Sequence, residues 1–373
     1  MNFDFSDDQK FLKNEARKFL EANCPTSRVR KVLDDEAKAY DEGLWTAVAG
    51  QGWLGAAIPE EHGGLGLGHI ELCAIAEELG RVVAPIPFAS TVYFLAEAVM
   101  LAGSEAQKAA LLPKIAAGEV IGCVATSEGP GVLTAAGLQA TVSGGKLSGV
   151  KLPVTDGDIA THALVLAKEN GQAGLFLVDL SAKEGVTREP LQTLDPTRDA
   201  AKLTFSGAAA ERLGAAGEGF SLLEQVTDRA AVLLAFEQCG GADRCLEMAK
   251  AYALERYAFG RVIASYQAIK HKLADMYVKN ELARSNAYYG AWALNTNAPE
   301  LPVAASAARI AASEAFWFGA KENIQTHGGI GFTWEVDAHL YYRRSRQLGL
   351  VAGAPRVWKE RLVSQLERKN MAA

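Results

Sequence analysis

Two short stretches of the chain combine residue types that could hold a phosphate-bearing ligand. The first, residues 325–335, reads Gln-Thr-His-Gly-Gly-Ile-Gly-Phe-Thr-Trp-Glu and follows a long apolar segment. Gly328 and Gly329 allow backbone conformations closed to other residues and let main-chain amides approach a ligand. Exposed amides at a helix end are a suitable place for a phosphate or pyrophosphate. The structural alternative is a helix C-cap and a turn, with Thr333 and Glu335 starting the next helix.

The second stretch, residues 255–261, reads Glu-Arg-Tyr-Ala-Phe-Gly-Arg and lies between two long helical patterns. Arg256 can bind a phosphate with two parallel hydrogen bonds, and Phe259 can stack on a planar heterocycle. Together they indicate a ligand that is an anion with a flat ring attached. An exposed arginine beside a packed phenylalanine at a helical hairpin is the alternative without a ligand.

Hydrophobic periodicity divides the chain into three parts that would position these stretches. Residues 1–118 are predicted to form a helical domain, residues 119–215 a small β-barrel or sandwich, and residues 216–373 a helical bundle. The middle part has short β-rich runs separated by Gly-Gly, Asp-Gly, Asn-Gly and Asp-Pro turns. The predicted fold class is therefore α+β with several domains. In the last part the predicted helices are 219–254, 266–295, 301–326, 335–346 and 355–369.

Composition excludes several classes of function. The 373 residues carry a net charge of −6 and no dense basic run, which argues against nucleic-acid binding. The acidic start is not a signal peptide, and the longest apolar segment is interrupted by Arg309 and Glu314, so no membrane span is expected. The five cysteines are scattered and do not form a metal-ligand pattern with the histidines. We expect a cytoplasmic protein with reduced thiols and no metal.

Taken together, these motifs resemble those of the acyl-CoA dehydrogenase family. Arg-x-x-Phe-Gly at 256–260, with Gln267 after it, has the family's spacing, and so does Gln-x-x-Gly-Gly-x-Gly-Phe-x-x-Glu at 325–335. Pro-Glu-x-x-Gly-Gly at 59–64 and Glu-Glu-Leu-Gly-Arg at 77–81 resemble the N-terminal domain pattern. The likeness covers essentially the whole chain. It implies a helical domain, a β domain and a four-helix bundle.

The resemblance also implies FAD as the cofactor, bound with contacts from two subunits. One group of residues would reach the diphosphate and adenosine across the interface: Arg256, Phe259, Gln267, Gln325, Gly328 and Gly329. A second group in the β domain would lie along the flavin: Thr126, Ser127 and Thr155. Members of the family often have tryptophan where this chain has Pro153, so the likeness is weaker at that position.

The chemistry that the resemblance implies needs a base that this chain lacks at both usual places. The reaction takes a proton from the α carbon of an acyl-CoA while hydride passes from the β carbon to flavin. Most of the family uses a glutamate, and the count forward from Gly331 puts that place on Ala352. Other members carry the base on an earlier helix, where the count lands on Ala230. A family arginine associated with the acyl group is replaced by Ala231.

Two nearby residues are weaker candidates for the base or for substrate binding. Asp228 matches a position that often binds CoA, and a small shift of register would make it the base. Arg229 is a second candidate for substrate binding. Glu237 shares the helical face of Ala230, but seven residues separate them by roughly 10 Å along the axis. The distance is too long for direct replacement.

Three functions stay open from the sequence. The first is the base-less subunit of a heteromeric acyl-CoA dehydrogenase, similar to those acting on steroid or other bulky acyl-CoA thioesters. The second is an active homo-oligomeric acyl-CoA dehydrogenase with a displaced base. The third is a flavin oxidase of the nitroalkane-oxidase kind. The implied partners are an acyl-CoA, an electron-transfer flavoprotein or similar acceptor, and further copies of this chain or a second acyl-CoA dehydrogenase subunit.

Overall fold

The computed structural model describes residues 5–35, 39–131 and 133–371. Over those residues, eleven α-helices and one π-helical stretch, Ala89–Ala96, account for most of the chain. In chain order the α-helices are α1 (Asp7–Asn23), α2 (Thr26–Leu33), α3 (Glu42–Gly50), α4 (His69–Arg81), α5 (Glu97–Ala102), α6 (Glu105–Ala116), α7 (Gly219–Glu255), α8 (Gln267–Asn295), α9 (Leu301–His327), α10 (Ala338–Leu350) and α11 (Pro355–Met371).

Most of the strands join one mixed sheet in the middle of the chain. The strands are β1 (Gly122–Ala125), β2 (Thr141–Ser143), β3 (Lys146–Thr155), β4 (His162–Glu169), β5 (Gln172–Asp179), β6 (Val186–Pro190), β7 (Ala200–Ala209), β8 (Glu211–Leu213), β9 (Tyr257–Ala258) and β10 (Arg261–Val262). The large sheet has the order β6-β7-β3-β2-β4-β5-β8, and β1 pairs with β4 in parallel. The short strands β9 and β10 form a separate hairpin.

The order of helices, strands and long helices agrees with the sequence prediction, but one helix start is wrong. The sequence predicted a helix from Glu335 with Thr333 at its start. Instead, the Thr333 hydroxyl donates to the Ile330 carbonyl at 2.7 Å, and α10 begins only at Ala338. The elements α2, β6 and β8 were missed because each is too short for its pattern to be assigned from the sequence. The domain boundaries after residues 118 and 215 stay predictions.

One compact unit of the described chain is helical and comprises residues 5–29, 69–84 and 231–371. Within it, α4 and α7 cross so closely that glycine is required at the contact. A Cβ atom at Gly80 would overlap the Glu237 carbonyl, and one at Gly240 would overlap the Glu77 carbonyl. The Glu77 carboxylate, buried at this crossing, accepts from Lys13 at 2.5 Å and also from Arg284. Ion pairing therefore compensates the charge that the close packing buries.

The second compact unit, residues 30–68 and 85–230, contains the large sheet. Its core follows the alternation and apolar runs of β4 and β5, which are buried along most of their length. At the end of β3 the chain turns through Asp156, whose φ is +56° and whose carboxylate pairs with Arg198 at 2.7 Å. The Asp156 amide donates to the Asp199 carbonyl at 2.8 Å. The sheet thus ends in a buried polar turn.

None of the helices in the part of the chain that the structure describes is long and apolar enough to cross a membrane. The five cysteines are buried free thiols. Burial raises the pKa of the Cys123, Cys239 and Cys245 thiols far above the ordinary value. Thiols that are buried and fully protonated are poor nucleophiles.

We expect Gly80→Ala to lower the free energy of unfolding by about 2 kcal/mol or more, because the added methyl group meets a backbone carbonyl on α7. Gly349→Ala on α10 is the matched control, since a Cβ there meets no atom within 4 Å. The control should be neutral or stabilising by up to about 1 kcal/mol through helix propensity. Denaturant unfolding of both variants measures the difference. Equal effects would contradict the close helix crossing.

A pH effect follows from Asp199. Burial, with the nearby charges of Asp156 and Asp158, raises the pKa of Asp199 to about 6. The folded chain therefore binds this proton more tightly than the unfolded chain. This contribution to stability is complete below about pH 4 and is lost as the pH rises through about 6. As the pH rises through this range, we expect wild type to lose about 1 kcal/mol of its free energy of unfolding once solvent screening is allowed for. Asp199→Asn should not show this loss.

The melting temperatures of wild type and Asp199→Asn between about pH 4 and about pH 7 test this expectation. The control is Asp179→Asn. Burial alone would raise the pKa of Asp179, but hydrogen bonds from Ser181 lower it overall. The Asp179 contribution to stability is therefore lost only as the pH falls below about 4, so Asp179→Asn should leave the slope between about pH 4 and about pH 7 as it is in wild type. Parallel changes would refute the Asp199 expectation.

Candidate functional site

Helix α7 ends in a tight hairpin that carries the predicted arginine and aromatic ring. Strands β9 and β10 form the hairpin, and the Ile263 amide closes it by donating to the Arg256 carbonyl at 2.8 Å. Phe259 stands at the tip with a φ of +53° and 98% of its surface exposed. Gln267 begins α8, and both Gln267 and Arg256 are exposed. This connection therefore presents a cation, a carboxamide and an aromatic ring to its surroundings.

Helix α9 ends in exposed glycines. Gly328 has φ +67° and ψ −141°, a conformation that is readily available only to glycine. A Cβ atom at Gly329 would meet nothing within 4 Å, whereas one at Gly331 would overlap the Ile324 carbonyl. Gln325 is exposed in the last turn of the helix. The end of α9 thus offers free space beside its backbone, with a carboxamide close by.

Contacts within the helical unit bring these helix ends together. The His327 ring stacks on the Tyr252 ring with 4.3 Å between their centroids, which joins the last turns of α9 and α7. The Lys272 ammonium lies 2.7 Å from the Glu322 carboxylate, which joins the first turns of α8 to α9. Two motifs that are far apart in the sequence are therefore neighbours at one end of this unit.

The residues at this end fit the diphosphate end of a dinucleotide. They supply hydrogen-bond donors and an exposed ring: Arg256, Phe259, Gln267, Gln325, Gly328 and Gly329. A guanidinium and backbone amides are the donors that bind phosphate oxygens in proteins. The open space beside the glycine backbone leaves room for such a group to approach. The six predicted contacts of this group are thus chemically suited to FAD.

In the sheet-containing unit, the structure brings Thr126 and Ser127 beside the end of β3. The Leu152 amide donates to the Ser127 carbonyl at 2.9 Å, and the Lys151 ammonium donates to the Thr126 carbonyl at 3.3 Å. Thr155 is the last residue of β3. All three predicted residues are partly exposed. The grouping fits the predicted contacts along a flavin.

Ala352, at the predicted place of the base, lies in the turn between α10 and α11. Its φ of +61° is unusual for a residue with a side chain. The buried Arg309 guanidinium donates to the Val351 carbonyl at 2.7 Å, and also to the Leu348 carbonyl and the Gln238 side chain. Burial lowers the pKa of Arg309 to about 10. A well-defined turn is therefore present, but it carries no carboxylate.

The other candidates for the base and the substrate lie on α7. Asp228 is buried, and Arg229 lies 3.5 Å from the Glu97 carboxylate. Ala230, the second usual place of a base, is fully buried. Glu237 is buried and lies 3.7 Å from Arg344. This pairing gives Glu237 a structural partner and agrees with its exclusion as a replacement base.

The sequence did not reveal the polar groups that hold the Ala352 turn and the end of β3. Arg309 was visible only as a charge interrupting an apolar helix, and its partner Gln238 gave no signal. Asp156 and Arg198 are 42 residues apart, so no local pattern links them. Among the described residues, no group of three or more His, Cys, Asp or Glu side chains could hold a metal ion.

Models of two family domains match the chain. The acyl-CoA dehydrogenase N-terminal domain matches residues 6–119, and the acyl-CoA dehydrogenase C-terminal domain matches residues 217–366. Among curated relatives, the acyl-CoA dehydrogenase IpdE2 of Mycobacterium tuberculosis is 33% identical over 363 residues. That match covers 96% of this chain and 98% of the relative.

Solved structures give the same result at the level of the fold. A variant of the Tcur3481–Tcur3483 steroid acyl-CoA dehydrogenase is 33% identical, with a TM-score of 0.88 over 98% of this chain and 99% of that one. The ChsE4–ChsE5 complex from Mycobacterium tuberculosis is 26% identical, with a TM-score of 0.88 over 98% and 99%. Both the fold class and the family predicted from the sequence are confirmed. The chain belongs to the acyl-CoA dehydrogenase family.

Proposed function

We propose that this chain is the base-less, FAD-contacting subunit of a heteromeric acyl-CoA dehydrogenase that acts on a bulky acyl-CoA thioester. The proposal rests on the structure of the turn at Ala352. Its backbone is held by the buried Arg309, yet neither Ala352 nor Ala230 can accept a proton. The family's reaction needs a carboxylate within hydrogen-bond reach of the α carbon. A partner subunit that carries the glutamate would supply it.

The relatives support an assembly of two different chains. One similar structure is a complex of ChsE4 with ChsE5, and another combines Tcur3481 with Tcur3483 and is described as a steroid dehydrogenase. We infer a steroid-type substrate for this chain from its similarity to that structure. The small side chains of Ala231, Ala352 and Ala354 are compatible with a bulky acyl group. An electron-transfer flavoprotein or a similar acceptor stays our prediction for the reoxidation of the enzyme.

Two groups of residues in this chain would contact different parts of FAD. FAD, when bound, supplies the acceptor for hydride from the β carbon. The flavin in question would be held mainly by the neighbouring subunit. Arg256 would neutralise its diphosphate, and Gln267 and Gln325 would orient that group by hydrogen bonds. Phe259 would stack near its adenosine. The hydroxyl of Thr155 would donate a hydrogen bond to the flavin edge in this chain's own β domain.

An active homo-oligomer with a displaced base is the second candidate. It is favoured by one observation, the buried carboxylate of Asp228 on α7. A carboxylate on this helix could take the proton in place of the usual glutamate if it came within hydrogen-bond reach of the α carbon. The two candidates differ in what the isolated chain does with substrate, and Asp228→Asn distinguishes them if the chain proves active alone.

We expect the purified chain to leave its flavin oxidised when mixed with a panel of acyl-CoA thioesters, because it lacks the base. Ala352→Glu should raise the rate of flavin bleaching by about 100-fold or more, since a positioned general base contributes on that scale. Stopped-flow absorbance at the flavin band measures both rates. Ala352→Gln is the matched control, because it adds the same bulk without a base.

Rapid bleaching by the wild-type chain alone would contradict the silent-subunit proposal. If Asp228→Asn then abolished it, the displaced-base candidate would replace that proposal. Equal behaviour of the Glu and Gln variants at position 352 would mean that this turn does not face the α carbon. Co-purification with a second acyl-CoA dehydrogenase chain, followed by activity of the mixture, is the direct positive result.

The diphosphate contacts give a separate expectation. Replacing Arg256 with Met removes a bidentate phosphate partner and should weaken FAD retention by the assembled enzyme about tenfold or more. Arg261→Met is the matched control on the same hairpin, because the Arg261 guanidinium lies over the Tyr266 ring at 4.0 Å. Flavin content after gel filtration and FAD titration by fluorescence measure the effect. Equal losses in the two variants would refute the assignment of Arg256.

A further inference from the structure

The segment that ends in Thr155 departs from regular strand pairing just before that residue. Along β3 and β7 the register shifts between Lys151 and Val154, so the chain bulges at Leu152 and Pro153 before pairing resumes at Val154 with Ala201 and continues at Thr155 with Ala200. Bulges re-aim the side chains next to them and are common beside active sites. The direction of the Thr155 hydroxyl therefore depends on how the two ends of residues 152–155 are held.

An ion pair between the buried Lys151 and the partly exposed Glu128 holds the first end. Lys151 has no exposed side-chain surface, and its ammonium lies 2.7 Å from the Glu128 carboxylate. Burial lowers the pKa of Lys151, and the carboxylate acts in the opposite direction. Glu128 also accepts from the Gln139 and Ala140 amides at 2.7 and 2.9 Å, so its position is fixed by three donors.

A buried ion pair holds the other end. Asp156 follows Thr155 with a left-handed φ of +56°, and it is 1% exposed. Arg198, also buried, donates to its two carboxylate oxygens at 3.3 and 2.7 Å, and the Ser90 hydroxyl donates to it as well. The Asp156 amide is bonded to the Asp199 carbonyl. Both the side chain and the backbone of Asp156 are thus fixed.

Stability alone is a weak explanation for these pairs. Replacing a buried ion pair with apolar groups of similar volume is often neutral or stabilising, because desolvation offsets the attraction. Directional hydrogen bonds, however, fix a backbone more closely than apolar packing does. We propose that the ion pairs Asp156–Arg198 and Glu128–Lys151 are positioning residues, which set the direction of the Thr155 hydroxyl toward a bound flavin.

This inference rests on the proposed function for the flavin contact, but the fixing of the backbone is independent of flavin. The test therefore has two arms. The variants are Asp156→Asn/Arg198→Met, which removes both charges of this pair together, and the control Glu189→Gln. Glu189 forms an exposed pair with Lys202 at 2.8 Å on the neighbouring strands β6 and β7.

The first arm measures hydrogen exchange without added FAD. We expect the amides of residues 152–157 to exchange about tenfold faster or more in the double variant, at a melting temperature close to that of wild type. Exchange in β4 and β5 should not change, and Glu189→Gln should resemble wild type throughout. Unchanged exchange at 152–157, or a uniform increase across the sheet, would overturn the inference.

The second arm measures FAD in the purified assembly. The double variant should raise the FAD dissociation constant about tenfold and shift the flavin absorption band, because a misplaced hydroxyl no longer reaches the ring. Combined with Thr155→Val, the ion-pair substitutions should have no further effect on FAD, since both changes remove the same interaction. Additive losses would show that the pairs do not act through Thr155.

The outcomes separate the two proposals. Flavin missing from the wild-type β domain, together with faster local exchange in the double variant, would refute the FAD contact but support the fixing of the segment. Bound flavin with unchanged exchange would keep the proposed function and refute the positioning role.

Discussion

The shape of the candidate base position depends on one buried guanidinium. Arg309 is 1% exposed, and it satisfies carbonyl groups at the end of α10 together with the Gln238 side chain. Its pKa, lowered to about 10 by burial, still leaves it charged at neutral pH. A buried charge without acceptors would cost several kcal/mol, on the order of 3–5. The carbonyls of Leu348 and Val351 are therefore held at this cation, and the helix C-terminus adds a favourable dipole.

This constraint explains why the turn keeps its form although the carboxylate is missing. Ala352 has a left-handed backbone that costs roughly 1–2 kcal/mol for a residue with a Cβ atom. Glycine would avoid that cost, and Gly353 next to it adopts a positive φ as well. Strain that persists against such a cost is typical of functional sites. The strained backbone at Ala352 and its support by Arg309 are therefore in keeping with the functional role proposed for this turn.

Much of the fold was predictable because the helices and strands follow hydrophobic periodicity over long windows. The capping box of Ser6 with Gln9 at the start of α1 is local chemistry that the sequence displays directly. Thr333 was misread because its hydroxyl can bond backward to a turn as easily as forward to a helix. The stack of His327 on Tyr252 and the pair Asp156–Arg198 were not predictable. Each joins residues distant in the chain, and neither leaves a pattern of spacing.

The two groups of predicted FAD contacts differ in exposure, and this difference bears on why a silent subunit would be kept. Thr126, Ser127 and Thr155 are only partly exposed, in a segment fixed by ion pairs. Phe259, in contrast, is 98% exposed with a left-handed backbone, an arrangement that gains nothing from its own chain. Covering such a ring in an assembly would remove its apolar surface from water. Contacts that serve a neighbour's cofactor remain useful after the chain's own base is gone, whereas contacts that serve its own catalysis do not. The presence of Arg256, Phe259 and Gln325 together with an alanine at position 352 is the combination expected if two subunits divide the work as proposed.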